Sequence, residues 1–222
     1  MQRKNEEERK SRPLLTELLT DPDEIARREA RNALLQFDAV IQLVDEALAA
    51  PQSFRLRPST ASDLNRLAIE GINQYPGVYR PHEIEIIGSK HTPPDWRVVP
   101  RLVEEMCDYV NDNSGSPPIH LAAYTMWRVN WIHPFSDGNG RTARALSYAV
   151  LCIRLGYRLP GTNTIPDQIA ADKFPYYDAL EAADTEFAGG RVDVTMLESL
   201  IAKLLAVQFI EVHRQATGAK TP

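Results

Sequence analysis

The sequence predicts an all-α domain, mainly helical, with one short β-hairpin. Three observations lead there. Apolar residues recur at helical spacing through most long segments, Pro or Gly marks nearly every boundary between them, and the β-branched pattern appears at residues 78–91, where Ile84, Ile86 and Ile87 precede Gly88-Ser89.

In chain order, residues 1–12 mix Lys, Arg and Glu without periodicity and read as a frayed or loosely helical tail. A helix is predicted from Pro22 to about Ala49. Asp21 can cap it, Asp23 and Glu24 suit its positive end, and Pro51 follows its close. Ile25, Leu34, Phe37, Ile41, Val44 and Leu48 would form its apolar stripe. A short extended piece at 54–57 precedes a second helix, capped by Ser59 or Thr60 and running through Leu64, Leu67 and Ile72 to the turn Tyr75-Pro76-Gly77. The hairpin segment comes next.

Pro93-Pro94 breaks the chain, and Val98, Leu102, Met106 and Val110 mark another helix before a turn at 114–118. Residues 119–131 are apolar or aromatic on nearly every face and read as the buried central helix. Trp127 and Trp131 are packing residues within it, and His120 near its start reads as a capping or surface residue. A helix marked by Leu146, Val150 and Ile153 closes at Gly156 and Pro160, and residues 161–166 form a loop. Residues 173–187 look helical. Gly189-Gly190 separates a last helix, from Val194 to about His213, whose Leu197, Ile201, Leu204, Leu205 and Val212 pack inward.

Composition narrows the function. The 222 residues suit one domain, 43% hydrophobic and 25% charged residues are globular values, and a net charge of −5 gives no electrostatic case for nucleic-acid binding. No run approaches membrane-spanning length, so a cytoplasmic protein without a membrane partner is expected. Cys107 and Cys152 sit in apolar helical patterns without Cys or His at metal spacing, and read as small core residues.

The chemistry concentrates in residues 133–144, a loop leading into a helix: His133-Pro134-Phe135-Ser136-Asp137-Gly138-Asn139-Gly140-Arg141-Thr142-Ala143-Arg144. Asn139 and Gly140 would place unpaired backbone N–H groups at the helix start, where the dipole also favours an anion. Gly138 and Gly140 allow close approach. Arg141 and Arg144, at i and i+3, share a face on which forked guanidinium groups match phosphate oxygens. One carboxylate beside phosphate oxygens is a common way to hold Mg²⁺, which suits Asp137. His133 can take a proton from an incoming hydroxyl. Each feature alone is commonplace; the combination is not.

This stretch resembles the signature of the Fic (Fido) family, His-x-Phe-x-(Asp/Glu)-Gly-Asn-Gly-Arg-x-x-Arg, at His133, Phe135, Asp137, Gly138, Asn139, Gly140, Arg141 and Arg144. The resemblance implies a protein adenylyltransferase that moves AMP from Mg-ATP to a Tyr, Thr or Ser hydroxyl of a target protein and releases pyrophosphate. It implies His133 as base, Asp137 as metal ligand, Gly138 to Arg141 as phosphate cradle and Arg144 at the terminal phosphate. Phe135 is expected to anchor the loop. Related Doc-type kinases carry Lys where this chain has Gly140, which favours nucleotidyl over phosphoryl transfer.

The resemblance also makes the predicted hairpin a flap, with Ile87, Gly88 and Ser89 docking an extended target segment. Tyr177 is a candidate wall of the adenine pocket, and Asp184 falls where some relatives carry Asn near the base. The implied organisation is a polar tail (1–20), an N-terminal helical extension (21–60), the Fic domain (61–213) and a C-terminal tail (214–222). Many relatives are silenced by a glutamate in a Ser/Thr-x-x-x-Glu-Gly/Asn helix. Here Thr20 and Glu24 are followed by Ile25, and Glu70-Gly71 is preceded by Arg66 where Ser or Thr belongs. Restraint is therefore expected from a small antitoxin-like partner, from homo-oligomerisation, or from an acid on the first helix such as Glu29. The alternatives are a Fic hydrolase that removes AMP and a non-catalytic nucleotide-sensing interaction protein.

Overall fold

A computed structural model describes residues 10–12 and 18–218 of the chain. Its helices are α1 (Pro22–Ala49), α2 (Pro58–Ile69), α3 (Val99–Asp112), α4 (Pro118–Ile132), α5 (Asn139–Leu155), α6 (Ile165–Ala171), α7 (Phe174–Ala188) and α8 (Thr195–Thr217). Two short strands, β1 (Lys10–Arg12) and β2 (Glu85–Ile87), complete the named elements with a single 3₁₀ turn at Trp96–Val98. The expected mainly helical class is observed. Residues 1–9 of the expected tail and 219–222 lie outside the described residues.

The centre is α4, buried without interruption from Leu121 to Val129. α5 packs along it, α1 and α2 cover one side of α5, and α3, α7 and α8 cover the remaining faces of α4. Ser147 on α5 donates to the Ala122 carbonyl of α4 at 2.8 Å, fixing the two helices in register. The loop that carries the chemistry joins these two helices, so the core itself sets its ends.

Helix α1 begins as its sequence dictates. The Asp21 side chain accepts the Asp23 N–H at 3.0 Å, with Pro22 at the first helical position. Its buried face differs from the expected stripe. Leu34 is 70% exposed and Phe37 37%, whereas Asn32, Gln36, Val40, Val44 and Ala47 face inward. The reason is polar. Gln36 donates to the Leu64 carbonyl at 2.9 Å and Asn32 to the Glu70 carbonyl at 2.9 Å, so two buried amides hold α2 against α1. Helix α2 starts at Pro58 without a side-chain cap and stops at Ile69, so Ser59 and Thr60 lie inside it.

Helix α6 begins inside the expected loop at 161–166 and runs on to Ala171. Thr164 and Asp167 form a reciprocal capping box with Pro166 in the first turn. His120 also has more structure around it than a cap or surface residue would. Its Nε2 lies 2.9 Å from the Tyr109 hydroxyl and its Nδ1 2.6 Å from Glu198, joining α3, α4 and α8. Trp127 donates its indole N–H to Asp184 at 2.8 Å. The Arg128 guanidinium lies 4.4 Å from the Trp131 ring centre. Cys107 and Cys152 are buried and free, and burial pushes the Cys107 thiol up to about 12. Among the described residues no helix is long and apolar enough to cross a membrane.

The predicted hairpin segment contains one strand, β2. The strand paired with it is not a sequence neighbour but β1, in antiparallel register with Lys10 opposite Ile87, Ser11 opposite Ile86 and Arg12 opposite Glu85. The isolated Tyr79–Phe135 bridge then ties the start of this segment to the central loop.

Candidate active site

The loop starts where α4 ends. His133 takes the left-handed conformation, φ 50°, and closes α4 by donating its N–H to the Val129 carbonyl at 2.9 Å. A side chain at positive φ is uncommon and needs support from its surroundings. Arg80 supplies it. Its Nε donates to the His133 carbonyl at 2.8 Å, Nη1 to the His82 carbonyl at 3.0 Å and Nη2 to the Pro94 carbonyl. The Arg80 N–H also donates to the Pro134 carbonyl at 2.9 Å. One buried guanidinium thereby gathers the loop and the flap base.

The loop interior is closed by Asn139. Its amide accepts the Phe135 N–H at 2.9 Å and donates to the Phe135 carbonyl at 2.8 Å. The Asn139 side chain is therefore a brace for the turn, and its backbone opens α5. Phe135 is wholly buried, as expected of an anchor. Asn65 of α2 donates to the Asp137 carbonyl at 2.9 Å, fixing the other limb. Gly138 at φ 75° turns the chain into α5. A Cβ there would lie 2.6 Å from Ile69 Cγ2, so both backbone and space require glycine.

Beside this loop lies a cavity of 780 Å³ whose walls include His133, Asp137, Gly138, Asn139, Gly140, Arg141, Arg144 and Tyr177. All the loop and nucleotide candidates named from the sequence are thus brought together. Of the flap candidates, Ser89 lines the cavity. Ile87 and Gly88 stand at the strand end beside it, Ile87 paired with Lys10. Ile86 and His91, neither chosen from the sequence as site residues, also line it. From α7, Lys173, Tyr176, Tyr177, Leu180 and Asp184 form one helical face along the wall.

Electrostatics distinguish the groups. His133 is 6% exposed, and burial pushes its pKa down to about 3, so its imidazole is neutral near pH 7. Its Nδ1 lies 3.2 Å from the Asn130 carbonyl. That contact fits the tautomer with the proton on Nδ1 and a lone pair on Nε2. Asn130 is held by the Tyr176 hydroxyl at 2.6 Å, so the ring's orientation depends on α7.

The two arginines differ. Arg141 is engaged by Glu29 at 2.9 Å and by Asp137 at 3.1 Å. Among the described residues no carboxylate pairs with Arg144, and burial lowers its pKa. A half-buried cation with no paired carboxylate is partly desolvated, and an anion entering the cavity would relieve that cost.

The donor set also bears on metal binding. Among the described residues no cluster of His, Cys, Asp and Glu could cage a cation. Asp137 and Glu29 are the carboxylates beside the start of α5, both on Arg141. That fits a hard ion whose remaining ligands are phosphate oxygens and water, the usual preference of Mg²⁺. Asp137 at present accepts the Gly138 N–H at 2.6 Å and Arg141 at 3.1 Å.

Arg80, Asn65 and Asn130 were not legible as site residues, because each acts on a carbonyl, hydroxyl or backbone group supplied by folding. Glu29 was named only as a candidate source of restraint, and the structure places it on Arg141.

A helical core thus presents a glycine-rich helix start, two arginines and a buried imidazole to one cavity. Residues 55–151 match the model of the Fic/DOC family. It is 35% identical over 116 residues to a protein adenylyltransferase Fic of Nematostella vectensis, covering 49% of this chain and 24% of that protein. It is 27% identical over 132 residues to one from Drosophila persimilis, covering 58% and 25%. The chain thus spans about a quarter of the length of these curated relatives.

Solved structures agree in fold. A Fic-domain-containing signaling protein from Bacteroides thetaiotaomicron superimposes with a TM-score of 0.66 at 20% identity, covering 86% of this chain and 74% of that one. Fic-1 from C. elegans gives 0.63 at 22%, covering 85% and 52%.

Proposed function

We propose that this chain is a protein adenylyltransferase, transferring AMP from Mg-ATP to a hydroxyl side chain of a target protein. One observation carries the reading: a neutral, desolvated His133 shares a cavity with Arg144, which has no paired carboxylate, and with the start of α5. The imidazole holds the proton of an attacking hydroxyl. The α5 N–H groups and the arginines take up phosphate charge, and the Tyr177 face borders the base. Asp137 would hold Mg²⁺, which supplies further charge neutralisation when bound. Positioning and electrostatics do most of the work.

The relatives named protein adenylyltransferase support this activity. The Glu29–Arg141 ion pair supports a restrained resting state in which the acid occupies part of the phosphate site. A small antitoxin-like partner and homo-oligomerisation remain proposals for further restraint. A cytoplasmic setting, where ATP and target proteins meet, suits this activity.

Incubation with ATP labelled at the α or the γ phosphorus tests the proposal. Label should reach protein from the α position only, and His133→Ala should abolish it while ATP binding persists. Transfer from the γ position would make the chain a kinase. Release of AMP from modified protein, without transfer, would make it a hydrolase. Binding without either reaction would leave a nucleotide sensor.

A further inference from the structure

The last turn of α4 ends on carbonyls that the helix itself cannot satisfy. The Val129 carbonyl takes the His133 N–H, and the Asn130 carbonyl faces His133 Nδ1. Helical geometry would bring the Phe135 N–H to the Trp131 carbonyl, but that donor goes to Asn139 Oδ1. His91 takes its place. Its Nε2 lies 2.7 Å from the Trp131 carbonyl, and since a carbonyl only accepts, that nitrogen carries a proton in the neutral and the charged ring alike. Two further contacts set the ring. It packs against the Trp131 ring at 5.7 Å between centres, and its Nδ1 lies 3.9 Å from Asp184 Oδ2, the carboxylate that receives the Trp127 indole N–H.

From the other end of the same segment, Arg80 holds the His133 carbonyl. Residues 80 and 91 thus anchor to neighbouring carbonyls at the end of α4, and the chain between them, with β2 in it, arches out from two fixed points. The arch turns back at Ser89, whose N–H donates to the Ile86 carbonyl at 3.2 Å and whose hydroxyl accepts the His91 N–H at 3.2 Å. Ile86, Ser89 and His91 all line the cavity that holds His133.

We propose that His91 is a positioning residue, which latches the turn at 88–91 to the end of α4 and so keeps this wall of the cavity in place beside His133 during transfer. The role in transfer rests on the adenylyltransferase reading; the latch does not. The two anchors are unequal. Arg80 is buried and forks to three carbonyls, whereas His91 makes a single hydrogen bond to α4 at the cavity wall. The weaker anchor yields first, so the turn opens about Arg80. A single hydrogen bond shifts such an equilibrium by about fivefold.

The test compares His91→Gln with His91→Asn in the full chain. A glutamine amide nitrogen reaches the place of Nε2 and can donate to the Trp131 carbonyl, whereas an asparagine reaches only the place of Nδ1. Hydrogen exchange at the Ser89 amide should run about fivefold faster in His91→Asn than in wild type and return to the wild-type rate in His91→Gln, with the urea midpoint unchanged in both. With saturating α-labelled ATP and the proteins of a cell lysate as acceptors, transfer should fall about fivefold in His91→Asn and recover in His91→Gln. Equal exchange in all three chains, or the same loss in both variants, overturns the latch. So does a urea midpoint that falls as exchange rises, which would make His91 a structural residue. Faster exchange with unaltered transfer overturns the role in transfer. No transfer by the wild type removes the adenylyltransferase reading, and the exchange rates still decide the latch.

Discussion

The Nε of Arg80 donates to the carbonyl of His133 at 2.8 Å, across a separation of 53 positions in the chain. This contact pins the residue that closes α4 in its left-handed conformation and so aims the imidazole at the cavity. Arg80→Lys keeps the charge but cannot reproduce the forked donation to three carbonyls. We expect it to lower stability by about 3 kcal/mol and activity by more than the loss of folded protein explains. Urea unfolding with parallel transfer assays checks this. An unchanged urea midpoint would show that the clamp is dispensable.

The two loop glycines should separate fold from function. Gly138→Ala places a Cβ 2.6 Å from Ile69 Cγ2 at a φ of 75°, and should cost about 1–3 kcal/mol of stability. Gly140→Ala meets only Arg144 Nη1, at 3.4 Å, and should leave the thermal midpoint nearly unchanged while weakening ATP binding. Calorimetric melting and ATP titration of both variants would expose a reversed pattern.

Glu29→Ala frees Arg141 from one of its two carboxylate partners. The pair is partly exposed and worth about 1 kcal/mol or less, so ATP should bind up to ~5-fold tighter with little change in stability. Equal ATP affinity in variant and wild type would remove Glu29 from the account of restraint.

Arg144→Ala should show the opposite trade. Removing a half-buried cation that no carboxylate pairs with should leave the melting temperature nearly unchanged, while ATP affinity falls. A melting temperature that drops sharply would mean that Arg144 is a structural residue.

His133 gives a pH signature. Its folded pKa is depressed from 6.5 to about 3 by burial, so the unfolded chain binds the extra proton between those values. Stability contributed by this residue is full above the unfolded value and is lost as pH falls toward 3, at about 1.4 kcal/mol per pH unit. His133→Asn should flatten the fall in urea midpoint between pH 6 and pH 4 by roughly one proton's slope. Parallel curves for variant and wild type would contradict the buried neutral imidazole.

Much of the helical frame was legible because its signals are local. Asp21, Pro22 and Pro51 bracket α1, and the apolar run at 119–131 marks the central helix. The face of α1 was misread because its contacts with α2 are made by Asn32 and Gln36, which a hydropathy pattern scores as surface. The capping box of α6 was present in Thr164 and Asp167, but its seven residues are too few for periodicity to register. Strand β1 has no local signal at all, since its partner lies some 75 positions away and pairing is made by backbone. The loop chemistry could be read because ligand-facing groups sit within one short stretch. Its supports could not, because Arg80, Asn65 and Asn130 act on groups that only folding brings near.

The connection between α4 and α5 has one more implication. Phe135 is wholly buried and Asn139 closes the turn around it, so the loop at 133–144 is continuous with the hydrophobic core. Such a loop has little freedom to open and shut. Control of turnover would then fall to the periphery, where the flap can shift without unpacking the interior, and sequence drift among variants should concentrate at that rim.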